Sequence, residues 1–215
     1  RRGCTSIGAN LVAYWPMEDS AGATELLPAV GTVPMRIAGG SPTLAAFSDI
    51  ASSAPIATLQ NARLTATVTP YTSAGEAQVR WLLHVPTGTL DGAILARIRT
   101  GGTLAWVDVV YSTGGGIFAR AYNSANALVA TSSTLAAGLD DRDWRLSLEL
   151  KQVSSDVEMK LVPFEVGAAG AAVSTTTVTG VAVGAVTVVE LNPSGEALAD
   201  LAMGHLTVEK AITTV

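Results

Sequence analysis

The strongest constraint on this chain is a repeated two-residue alternation of apolar and polar side chains, in short runs cut by turn residues. Val79, Trp81, Leu83 and Val85 alternate with Arg80, Leu82 and His84. Ile94, Ala96 and Ile98 alternate with Leu95, Arg97 and Arg99. Ala105, Val107, Val109 and Tyr111 alternate with Leu104, Trp106 and Asp108, and Ile117, Ala119 and Ala121 with Phe118, Arg120 and Tyr122. Successive side chains of a strand point to opposite faces, so each run reads as an extended segment with one buried side. Gly101-Gly102 and the Gly114 to Gly116 run sit where tight turns are needed. The spacing predicts four successive strands between residues 79 and 122, joined as an antiparallel meander.

The same pattern continues. Trp144, Leu146, Leu148 and Leu150 form an alternating strand whose partner, residues 157 to 166, follows a turn at Val153-Ser154-Ser155-Asp156. Thr175 to Leu191 predicts one or two strands, Asn192-Pro193-Ser194-Gly195 a turn, and Gly204 to Val208 a closing strand. The stretch from Ala23 to Ala57 is irregular, and Pro28, Pro34, Pro42 and Pro55 forbid long central strands in it. Two places suggest a short helical turn, Leu44 to Ile50 and Glu196 to Leu201. About twelve short strands with regular turns predict an all-β fold, a two-sheet antiparallel sandwich with at most one or two helical turns. Residues 1–10 are expected to be a linker or edge segment and residues 11–215 a single domain. The opening Arg1-Arg2-Gly3, without an initiator Met, predicts a piece of a longer protein.

Composition narrows the function classes. Hydrophobic residues make up 48% and charged residues 14%, enough to bury a core. The net charge of −5 argues against a general nucleic-acid binder, which needs a broad basic surface. The single cysteine, Cys4, excludes an intrachain disulfide framework. The longest weakly polar stretch, Val178 to Leu191, is too short and too rich in Thr and Gly to insert into a membrane as a spanning helix.

Three ordered segments carry a resemblance. Leu11 to Gly22 (LVAYWPMEDSAG), Asp140 to Leu150 (DDRDWRLSLEL) and Met203 to Val208 (MGHLTV) resemble the opening strand, the Asp-rich corner and the closing strand of laminin G-like, concanavalin A-type jelly rolls. The overall texture is also similar to domains in the tail proteins of actinobacterial phages. The resemblance implies a jelly roll whose first and last strands lie side by side. It implies a location in a virion or outside the cell, with sister tail or virion subunits as partners. Within it, Tyr14 and Trp15 are expected to anchor a sheet edge and the core.

Chemistry is sparse. Glycan-cleaving relatives of that fold carry a Glu-x-Asp-x-(x)-Glu strand whose carboxylates act as nucleophile and acid. No such run occurs here; Glu149 is alone on its strand face and Glu158 has Lys160 beside it. No Gly-x-Ser-x-Gly elbow and no His-x-x-x-His pair is present. An enzyme is therefore not expected, and neither is a cofactor. Calcium is the metal to weigh, because relatives hold it at a loop rim, and Asp140, Asp141 and Asp143 offer oxygen ligands. The run lacks the glycine and distal Glu of a helix–loop–helix calcium site. His205, in the closing strand, is expected to be hydrogen-bonded within the sheet.

If the apolar members of the four runs face inward, the other face presents Arg80, His84, Arg97, Arg99, Trp106, Asp108, Arg120 and Tyr122. From Arg80 to Tyr122 there are four Arg and two Asp, on an otherwise acidic chain. Aromatic rings stack on sugar rings, Asp accepts hydroxyl protons, and guanidinium forks grip carboxylate or phosphate. This cationic, ring-bearing stripe predicts an adhesion module for cell-surface glycan or another anionic polymer. A structural domain docking on sister subunits, or forming a homo-oligomer, is the alternative; a glycoside hydrolase ranks last.

Overall fold

The alternating runs become strands wherever one of their faces finds an apolar partner. The computed structural model describes residues 8–17, 19, 22–40, 42–46, 55–85, 89, 91–112, 116–135, 143–165, 173–195 and 198–213. The first part of the chain supplies β1 (Leu11–Trp15), β2 (Glu25–Leu26), β3 (Met35–Ile37), β4 (Thr43–Ala46), β5 (Pro55–Gln60) and β6 (Leu64–Thr67). The middle supplies β7 (Glu76–His84), β8 (Ile94–Thr100), β9 (Leu104–Ser112), β10 (Gly116–Asn123) and β11 (Leu128–Thr131). The last part supplies β12 (Asp143–Val153), β13 (Asp156–Glu165), β14 (Ser174–Val178), β15 (Val186–Leu191) and β16 (Leu198–Glu209).

These strands form two sheets of eight, all paired antiparallel. The first runs β14-β13-β12-β7-β16-β5-β4, with β1 also on β16; the second runs β11-β10-β9-β8-β15-β6-β3-β2. The protein is thus an all-β sandwich, as the alternation predicted. Neither helical turn forms among the described residues: Thr43–Ala46 and Leu198–Glu209 are both strand. Residues 47–50, 196 and 197 lie outside the described set.

The meander needs one correction. Strands β8 to β11 follow one another in the second sheet, but β7 belongs to the first, between β12 and β16. Periodicity reports which side of a strand is apolar; it carries no information on which sheet the strand joins. Two irregularities also shift the inward positions. A bulge between Ile94 and Ala96 places Leu95 in the core and leaves Ile94 partly exposed, and a second, opposite Tyr122 and Asn123, buries Leu104 instead of Ala105.

The core is one continuous cluster. Trp15, Trp81, Leu83 and Leu146 of the first sheet belong to it, as do Leu95, Ile98, Leu104 and Val107 of the second. Trp15 donates its indole N–H to the Val33 carbonyl at 3.0 Å, so its polar edge is satisfied. β16 is shared: β5 pairs with its first half and β1 with its second, as the resemblance implied for first and last strands. Between the halves His205 adopts a left-handed backbone (φ 49°), and its Nδ1 lies 2.7 Å from the Tyr14 hydroxyl.

The hairpin between β8 and β9 is held against residues 182–185. Gly101 N–H donates to the Ala185 carbonyl at 2.9 Å and Leu104 N–H to the Ala182 carbonyl at 3.0 Å. A Cβ on Gly102 would meet the Ala182 carbonyl oxygen at 2.1 Å, against backbone that cannot yield, whereas one on Gly101 would first touch Thr187 at 3.7 Å. Gly102→Ala is therefore expected to cost about 1–3 kcal/mol as an overpacking strain. Thermal unfolding should show it as a lower Tm, by roughly 2–4 °C per kcal/mol for a chain this size, with Gly101→Ala near wild type.

Candidate functional site

Three neighbouring strands, β8, β9 and β10, carry the site on the side of the second sheet that faces away from the core. Ala96, Ile98, Val107, Val109, Ala119 and Ala121 point inward and are buried, so their alternates point outward. Register then sets the outward residues in two rows across the sheet. One row runs Glu190, Arg97, Asp108, Arg120; the next runs Val188, Arg99, Trp106, Tyr122. Six of the eight residues expected to form the site are thus brought together: Arg97, Arg99, Trp106, Asp108, Arg120 and Tyr122.

The two rows interlock. Arg97 grips Asp108 with both arms of its fork, Nε to Oδ1 at 2.6 Å and Nη2 to Oδ2 at 2.9 Å. Asp108 is only 2% exposed. The hydrogen bond to Asp108 holds the Arg97 guanidinium above the ordinary arginine range, against the opposing effect of burial. Arg99 Nε donates to Glu190 Oε2 at 2.9 Å. Trp106 stands between strands: Tyr122 stacks on it from β10, with centroids 4.8 Å apart and planes 14° apart. From β8, Arg97 and Arg99 bring their guanidinium carbons to 5.6 and 5.7 Å of its ring centre. Arg120 lies over Phe118, 4.9 Å from the ring centre.

This geometry changes the expected character of the face. The stripe predicted as cationic is largely self-neutralised, because Asp108 and Glu190 each hold a guanidinium. Asp108, expected to accept hydroxyl protons, has both oxygens occupied by Arg97. Arg120 is the exception: among the described residues no carboxylate lies within 4.0 Å of it. The Tyr122 hydroxyl likewise makes no hydrogen bond to the described residues, and Trp106 Nε1 is enclosed without an acceptor. Phe118 and Glu190 are not among the residues expected to form the site. Phe118 is visible in hindsight as the same-face neighbour two positions from Arg120; Glu190 is not, because the pairing of β15 with β8 is a tertiary choice.

Arg80 and His84 do not belong to this face. Both are on β7, so they lie on the outer side of the first sheet. Arg80 donates to Glu209. The C-terminal segment closes over that place, with Thr213 Oγ1 donating to Glu209 at 2.7 Å and Thr213 N–H donating to Gln78 Oε1 at 3.0 Å. His84 Nδ1 is 3.0 Å from Asp143 Oδ1, and both side chains are about nine-tenths buried. Asp143, one of the calcium candidates, is thus engaged with His84, while Asp140 and Asp141 lie outside the described residues. Among the described residues, no group of three or more His, Cys, Asp or Glu side chains is placed to hold a metal ion. No helix among them is long and apolar enough to cross a membrane.

No protein-family profile and no curated protein matches the sequence. Solved structures do match its shape. The receptor-binding domain of botulinum neurotoxin mosaic serotype C/D aligns with TM-score 0.62 and 9% identity, covering 97% of this chain and 49% of that one. The serotype D binding domain aligns with TM-score 0.60 and 6% identity, covering 95% and 49%. Trypanosoma rangeli sialidase aligns with TM-score 0.58 and 8% identity, covering 96% and 31%. The shared property is the β-sandwich fold. At these identities the likeness extends to no residue of the site, and the chain spans about half of each neurotoxin domain and under a third of the sialidase.

Asp108→Asn removes the charge that holds Arg97 and leaves the fork one good acceptor. Hydrogen bonds to charged groups are worth about 1.5–3 kcal/mol, reduced here because Arg97 keeps 23% of its side chain exposed. The expected outcome is a loss near the low end of that range in urea unfolding, with a shift in tryptophan fluorescence as Arg97 leaves the Trp106 ring. Arg36→Gln, which loosens only an exposed contact to Glu25 at 3.8 Å, should change neither.

Proposed function

We propose that this chain is a non-catalytic recognition module, part of a phage tail or a secreted multidomain protein, that binds cell-surface carbohydrate through the outer face of its second sheet. The observation that carries the reading is the juxtaposition of Trp106, Tyr122 and Arg120 on one partly exposed sheet face. Aromatic side chains with a polar tip suit a ligand that is apolar on one side and hydroxylated on the other. The botulinum neurotoxin mosaic serotype C/D domain that shares the sandwich is described as receptor-binding, and the serotype D one as a binding domain, which agrees with a binding role.

Absence of catalysis belongs to the same reading. Among the described residues, the outward carboxylates of β8, β9, β10 and β15, Asp108 and Glu190, are each committed to an arginine. A paired acid and nucleophile needs carboxyl groups free to exchange protons with a substrate.

The test is a glycan array followed by titration of the best hit. Wild type is expected to bind, Trp106→Ala to weaken binding by at least tenfold, and Arg80→Gln, on the other sheet, to leave it unchanged. Turnover of any bound glycan, abolished by one carboxylate substitution, would reverse the assignment to a non-enzyme.

A second reading has its own observation. Leu128, the register partner of Tyr122, is 52% exposed and extends the aromatic patch with apolar surface. This suits docking of sister subunits, including further copies of this chain. A concentration-dependent oligomer on a sizing column, lost in Leu128→Asp, with no glycan bound, would favour that reading over the first.

A further inference from the structure

Resting on the carbohydrate reading of this face, we infer that its ligand is a sugar residue bearing a single carboxylate, that Arg120 receives the carboxylate, and that Arg97 and Arg99 position Trp106 without touching the ligand. The hydrogen-bonding groups that remain available on the face select the ligand. The face carries Arg97, Arg99 and Arg120, but Asp108 and Glu190 hold the first two. A polyanion with charge repeated along its length needs several available cations, and among the described residues of β8, β9 and β10 only Arg120 lacks a carboxylate partner. A neutral sugar needs acceptors for its hydroxyl protons as well as donors. The best acceptor here, Asp108, is 2% exposed with both oxygens taken.

What remains is rich in donors. Among the described residues Arg120 has no carboxylate partner and the Tyr122 hydroxyl makes no hydrogen bond, and both side chains are partly exposed, whereas Trp106 Nε1 is enclosed and is not offered to a ligand. A donor-rich place with one available positive charge matches a ligand that is rich in acceptors and carries one negative charge. A carboxylate fits the planar guanidinium fork through two parallel hydrogen bonds. Arg120 lies between Phe118 and Tyr122 on the same face of β10, each two residues away, or about 6.6 Å along the strand. A carboxylate held at Arg120 therefore leaves its sugar ring beside an aromatic side chain in either direction. The carboxylate can come from a sialic acid or from a uronic acid, and the two are separate arms of the test.

The experiment is calorimetric titration of the full chain with four probes: an oligosaccharide ending in sialic acid, one ending in glucuronic acid, its neutral glucose counterpart, and heparin. At least one carboxylated probe is expected to bind tenfold or more tightly than the neutral one. Arg120→Gln should abolish that preference and Arg120→Lys should restore only part of it, because an ammonium keeps the charge and loses the fork. Affinity should fall only shallowly with salt, as screening of a single ion pair requires. Arg97→Lys should change tryptophan fluorescence and weaken all bound probes alike. Equal binding of neutral and carboxylated probes, lost together in Trp106→Ala, would overturn this inference and leave the carbohydrate reading standing. Heparin as the strongest ligand, with a salt slope of several charges, would also overturn it. Failure of every probe, and of a neutral glycan array, would sink both.

Discussion

The structure depends on the inward side chains of two sheets being buried against each other. Each strand of the core offers only alternate residues to this interface, and apolar burial contributes about 25 cal/mol per Å² removed from water. A slip of one residue in any pairing would turn that strand's whole apolar set toward solvent. The core cluster around Trp15, Trp81, Leu95 and Ile98 therefore does more than hold the sheets together. It sets the register of β8 against β9 and of β9 against β10. That register is the reason Arg97 faces Asp108 and Trp106 faces Tyr122. The site is a by-product of the core, displayed on its other side.

Local departures from regularity tune this display. The bulges in β8 and β9 reset the alternation just before the site residues of each strand, so that Leu95 and Leu104 fill the core while Arg97, Arg99, Trp106 and Asp108 keep their outward places. On the first sheet, the left-handed turn at His205 divides β16 into two halves with different partners. Its bond to Tyr14 ties the first strand to the last at that break. In each case the irregularity lets one strand satisfy two neighbours whose demands differ by one residue.

The outer face illustrates how pairing alters the meaning of charge. Three arginines in a row of strands read as a cationic surface when counted, but a bidentate partner changes an arginine from a ligand-binding group into a structural one. Asp108 and Glu190 make that change for Arg97 and Arg99, and both guanidinium groups then border the Trp106 ring. The stacked arrangement Arg99, Trp106, Tyr122 is rigidified from both sides. A positioned aromatic cluster loses little conformational freedom on binding.

Alternation along single strands was sufficient to establish the fold class and, for β10 and for β9 beyond its bulge, which residues share a face. This is local information: a side chain's direction follows from its place in the strand. It correctly grouped Arg97, Arg99, Trp106, Asp108, Arg120 and Tyr122. It misplaced Arg80 and His84, whose strand has the same pattern but pairs with β12 and β16 in the other sheet. It also missed Glu190, which reaches Arg99 only because β15 lies beside β8. Strand partnership is decided by long-range burial and loop closure, which leave no trace in the period of a segment. Which arginine is neutralised and which stays available was therefore settled by the assembled sheet, while the identity and facing of the residues were already written in the chain.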